Sequence, residues 1–296
     1  MRVIQRILFC GIIVLLSHLV CNAQKTNYSI KRDIEYASIQ GHSLRLDFYE
    51  ATEAKADSPL VVWIHGGAWR SGSKSSVPVK PWLDHGFKIA SVDYRLSGQA
   101  RFPAQVHDIK AAIRFLRHQA ESLKFDPDRI IVAGASAGGH LAALIGVSND
   151  LKELEGTVGD NPTESSSVCA AVSFYGASNL NSILGQSTAH GLSVRVPALQ
   201  LLLGGQPEQV PDLSRLASPI THVDQKDPPL WLIHGDADPQ MPIEQSTELD
   251  HIYRQNKLAV RYDIIVGAMH GGAEFYTDQR LADLAKQIHH RIGSKP

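Results

Sequence analysis

Residues 130–144 read IIVAGASAGGHLAAL. The first part, Ile130 to Val132, is apolar and β-branched, as in a strand buried on both faces, and Leu141 to Leu144 favours a helix. Between them, Gly134-Ala135-Ser136-Ala137-Gly138 compresses the passage from strand to helix into a turn built of small residues. A serine on such a turn has backbone angles that crowd a β-carbon, so flanking glycines and alanines relieve clashes and leave its hydroxyl uncovered. A helix starting at Ala137 aims its positive end, and the Ala137 N–H, at an oxygen reacting there.

Outward from this unit the same alternation repeats. Apolar runs at 60–64, 88–94, 129–134, 168–176, 229–235 and 260–266 are expected to be strands covered on both faces. Helical patterns separate them; in 103–123, Val106, Ile109, Ile113 and Leu116 recur at helical spacing. Strands alternating with helices imply right-handed crossovers and an α/β fold, a mostly parallel sheet with helices on both faces. Before it, DIEYASI and SLRLDFYE alternate around Gln40-Gly41-His42 as a hairpin. Two stretches break the alternation. Residues 181–228 are rich in Gly and Pro and too long for an ordinary connection, so they are expected to form a small cap, with VPALQLLLGG as one short helix. Residues 70–81 are expected to be a polar surface loop near the serine.

A serine hydroxyl needs a base and donors for an oxyanion before it is a useful nucleophile. His65-Gly66-Gly67-Ala68-Trp69 follows strand 60–64, and its glycines let amides turn inward, so Gly67, Ala68 and Ala137 are the expected oxyanion donors. After strand 229–235 comes Asp236-Ala237-Asp238, and after strand 260–266 comes His270. His270 is assigned as base and Asp238 as the carboxylate that fixes its tautomer, with Asp236, nearer its strand, the competing carboxylate suited to capping the loop. Fourteen histidines make any single one uninformative. His65 and His234 follow strands, but no helical His pair or cysteine set accompanies them, so no metal is expected. His140 and His289-His290 are expected to be structural or solvated.

The charge balance, −1 over 296 residues, offers no basic face for nucleic acid, and 43% apolar content allows one large core. Residues 1–23 carry Arg2 and Arg6, an apolar run from Ile7 to Val20 and small residues before Gln24, the pattern of a secretory leader cleaved after Ala23. That run is short for a stable membrane span. A secreted or periplasmic domain, residues 24–296, is the expectation, with lipid anchoring through Cys21 as the rival. Cleavage leaves Cys169 alone, in an apolar run where it is expected to be a buried small hydrophobe.

Taken together, HGGAW (65–69), VDYRL (92–96), FPAQVHDIKAAIRFLR (102–117), FDPDRIIVAGASAGGHLAAL (125–144), HGDADPQMP (234–242) and GAMHGG (267–272) resemble the α/β-hydrolase superfamily over about residues 30–293. Within it they are similar to esterases carrying His-Gly-Gly-x-Trp, among them exported bacterial carboxylesterases associated with acetyl xylan or feruloyl esters, and kynurenine formamidases. The resemblance implies Ser136, Asp238 and His270 as a triad, Gly67, Ala68 and Ala137 as oxyanion donors, and no cofactor. Its substrate would be a small or polysaccharide-linked ester. Met241 stands where relatives commonly have Val. Trp69 is expected either to wall the acyl or aryl pocket or to pack its own loop. An arylformamidase would use the same triad, and a non-catalytic binding protein would usually lack part of it.

Overall fold

The computed structural model describes residues 27–39, 41–149 and 151–293. The leader expected at 1–23, Cys21 and the turn residue Gln40 lie outside the described residues. Within them the strands are β1 (Tyr28–Ile39), β2 (His42–Ala51), β3 (Leu60–Ile64), β4 (Lys88–Val92), β5 (Ile130–Ala135), β6 (Ala170–Phe174), β7 (Leu230–Gly235) and β8 (Val260–Ile265). They form one sheet in the order β1-β2-β4-β3-β5-β6-β7-β8. The pairings β1–β2 and β2–β4 are antiparallel, and the rest are parallel.

The helices are α1 (Ala104–His118), α2 (Ala120–Leu123), α3 (Ala137–Gly146), α4 (Lys152–Glu155), α5 (Ile183–Gln186), α6 (Ala189–Leu203), α7 (Pro211–Leu216), α8 (Glu244–Gln255) and α9 (Asp278–Ile292). Both faces of the sheet are covered, as continuous apolar strands require. Leu60, Val62 and Ile64 of β3 join α1, α3 and α8 in one core, and all four spaced residues of α1 are buried there. Val61 and Trp63 point the other way, into a second core with Trp82 and with Leu281, Leu284 and Ile288 of α9.

Three expectations need correction. β8 is not buried on both faces: it pairs only with β7 at the sheet edge, and Ile264 is half exposed. The 181–228 insertion holds three α-helices and a short 3-10 turn (Pro219–Thr221), and α6 begins a full two turns before Pro197, which lies inside it. Thr188 starts that helix, its hydroxyl accepting from Gly191 N at 3.0 Å. The 70–81 loop is anchored rather than superficial, with Val77 and Val79 buried and the Lys74 ammonium between Asp33 and Asp47. Cys169 is half-buried against the second core, and burial pushes its thiol up to about 12, so it behaves as a small hydrophobe.

Candidate active site

Ser136 stands at the carboxyl end of β5, where α3 begins, at φ 56° and ψ −116°. The residues two before and two after it, Gly134 and Gly138, must be glycine because backbones converge there. A β-carbon on Gly138 would lie 2.1 Å from the Ile64 carbonyl oxygen, and one on Gly134 would lie 2.3 Å from the Gly138 oxygen. The end of β3, the end of β5 and the start of α3 therefore touch main chain to main chain.

Asp238 follows β7 and His270 follows β8, so all three side chains meet at the carboxyl edge of the parallel strands. Ser136 Oγ lies 2.9 Å from His270 Nε2, and His270 Nδ1 lies 2.6 Å from Asp238 Oδ2. A proton on Nδ1 donates to the carboxylate and leaves Nε2 to accept from the serine hydroxyl. Asp238 is fully buried at its side chain. Its Oδ1 accepts from Gln240 N and Met241 N, each at 2.8 Å, and His234 Nε2 lies 3.4 Å from Oδ2. Burial raises this carboxyl, but the hydrogen bonds from His234, His270 and the Met241 amide prevail and hold it below the usual carboxylate range. Asp236 is elsewhere: it is exposed, and its Oδ1 accepts from Gly267 N at 2.6 Å, tying the loop that carries His270.

A cleft of about 520 Å³ opens beside the serine, lined by Gly66, Gly67, Ala68, Ser136, His270 and Tyr175 among others. Gly67, Ala68 and Trp69 all have positive φ, and at Gly67 a β-carbon would run into the Ser71 carbonyl at 2.1 Å. Among the described residues neither the Gly67 nor the Ala68 amide donates to another protein group, and the Ala137 amide is in the first turn of α3. A larger hollow of about 750 Å³ between β8 and α9 lies away from these groups and is lined by charges of both signs.

Trp69 does not wall the cleft. Its side chain is fully buried, and its indole Nε1 donates to His140 Nδ1 at 3.1 Å. His140 Nε2 in turn donates to the Ala217 carbonyl at 2.7 Å, at the end of α7. Burial lowers His140 to about 4, consistent with a neutral ring that accepts on one side and donates on the other. The aromatic wall comes instead from Tyr175 and Tyr276, which the sequence did not single out. The Tyr175 ring stands edge-on to His270 at 4.9 Å, and its hydroxyl meets that of Tyr276 at 2.7 Å. Tyr175 directly follows β6, a position at the carboxyl end of a parallel strand that could have flagged it.

A family model described as BD-FAE matches residues 46–253. The chain is 27% identical to a probable carboxylic ester hydrolase of Mycobacterium tuberculosis, LipM, over 91% of its own length and 64% of that protein's. It is 29% identical to the esterase LipC of the same organism over 72% of this chain and 53% of LipC. The chain thus spans between about half and two thirds of these curated relatives. A solved structure, the truncated form of a carbohydrate esterase from gut microbiota, superposes with a TM-score of 0.82 at 30% identity, covering 91% of this chain and 98% of that one.

Proposed function

Because the chain belongs to the BD-FAE family and has the α/β-hydrolase fold, we propose that it hydrolyses carboxylic esters through Ser136, His270 and Asp238. The observation that carries this reading is the unbroken hydrogen-bonded line from Ser136 Oγ through His270 to the buried Asp238 carboxylate, at the edge of a cleft. Ser136 Oγ attacks the ester carbonyl while its proton passes to His270 Nε2. The imidazolium that results is stabilised by Asp238. The carbonyl oxygen becomes an oxyanion facing the amides of Gly67, Ala68 and Ala137. Collapse of that intermediate expels the alcohol, which takes its proton from His270, and water then frees the acid from Ser136 by the reverse sequence.

The finer reading is an exported enzyme acting on acetyl or feruloyl groups of polysaccharides. The leader pattern at 1–23 supports export, and similarity to a carbohydrate esterase supports the substrate. Hydrolysis of p-nitrophenyl acetate, methyl ferulate, acetylated xylan and N-formylkynurenine by wild type and Ser136→Ala tests both levels. Ester turnover should fall about 10⁶-fold in the variant. Turnover that survives the substitution overturns the nucleophile, and preference for the formamide overturns the ester assignment.

A further inference from the structure

The insertion carries a charge that the chemistry above leaves unused. Arg195, in the second turn of α6, is 1% exposed, and its Nε has no partner among the described residues. Its Nη2 donates to the Gln240 carbonyl oxygen at 2.5 Å. No carboxylate is in contact with it among the described residues, an arrangement that is unfavourable for a buried cation. Burial lowers the guanidinium to about 10, so it stays charged near neutrality. Thr188 already secures this loop by donating to the Pro239 carbonyl at 2.5 Å, so packing and tethering alone do not call for a charge here.

The Gln240 carbonyl and the Met241 N–H belong to one peptide group. Arg195 donates to its oxygen, and its N–H donates to Asp238 Oδ1 at 2.8 Å. A cation on the carbonyl end polarises the peptide and strengthens the bond given by its nitrogen end. We propose that Arg195 is a positioning residue: it clamps and polarises the Gln240–Met241 peptide and thereby holds Asp238 as the fixed, ionised partner of His270. Its consequence for turnover rests on the ester-hydrolase reading. The titratable groups facing this pair are His270, His234 and Tyr175 around Asp238, and His140 near Arg195.

The test is the Met241 amide-proton resonance by NMR in the full chain, alongside kcat and KM on p-nitrophenyl acetate. Arg195→Gln removes the cation from the Gln240 carbonyl, so the Met241 N–H should give a weaker hydrogen bond to Asp238 and its proton resonance should move upfield. Plateau kcat should fall about tenfold with KM within about twofold, short of the ~100-fold cost of a 1 Å misplacement. Arg195→Lys keeps the charge and should hold that resonance close to its wild-type position. An unmoved resonance in Arg195→Gln, equal shifts in both variants, or a raised KM with unchanged kcat overturns the proposal. Arg195→Met replaces Arg195→Gln if that variant does not fold; if neither neutral variant folds while Arg195→Lys does, Arg195 serves the stability of the insertion and the proposal fails. An inactive wild type would count against the ester-hydrolase reading alone, since the amide resonance needs no turnover.

Discussion

Ser136 is held in a backbone conformation that non-glycine residues rarely adopt, at a cost of about 1–3 kcal/mol. Ser136→Gly should therefore abolish ester turnover and yet raise stability by about 1 kcal/mol, measured by urea denaturation; a destabilised variant would show that the serine contacts outweigh the strain. Gly138 gives the opposite case, because a β-carbon there meets main chain that cannot yield. Gly138→Ala should cost about 3 kcal/mol or more, whereas Gly185→Ala, with nothing within 4 Å, should change stability by less than about 1 kcal/mol. Equal melting temperatures for the two alanine variants would refute the crowding argument. Ser136, Asp238 and His270 could be picked from the sequence because each sits in a short local motif at a strand end. Trp69 could not, because its surroundings are decided by His140, 71 residues away.

At the level of elements, the loop carrying Gly67 and Ala68, the helix after Ser136 and the insertion are joined by the line Trp69, His140, Ala217. Trp69→Phe keeps most of the ring but leaves His140 Nδ1 buried without a donor, which should cost about 1–3 kcal/mol in denaturant titration. KM for p-nitrophenyl acetate should stay close to wild type, since the ring does not reach the cleft; a raised KM with unchanged stability would restore Trp69 to the substrate pocket. The parallel strands and α1 were legible from apolar periodicity, which reports burial directly. The insertion was not, because Pro197 looks like a helix start although α6 runs through it, and the packing of its buried face overrides that local preference. Edge position left only a partial trace in β8: the charged Arg261 and Asp263 interrupt its apolar run, whereas the exposure of Ile264 follows from sheet order.

For the whole molecule, buried histidines tie stability to pH. Burial lowers His140 from 6.5 to about 4, and His65 moves the same way. The unfolded chain therefore binds more protons than the folded one between those values, and stability falls as pH drops from about 6.5 toward 4. For His140 the loss approaches about 3 kcal/mol at the bottom of that window. Asp238, depressed by its partners, adds its own loss only below the ordinary carboxylate range. Urea midpoints between pH 7 and 4.5 should fall in wild type and fall less in His140→Asn; parallel slopes would remove His140 from this account. The same architecture also separates the reacting groups in time. Ser136 and His270 lie 134 residues apart, after strands three places removed in chain order, so a ribosome that has completed the serine turn still needs on the order of 10 s to deliver the histidine. A nascent chain can therefore shape its serine turn before any histidine reaches it, and the hydrogen-bonded line is completed only when the last strand docks at the edge of the sheet.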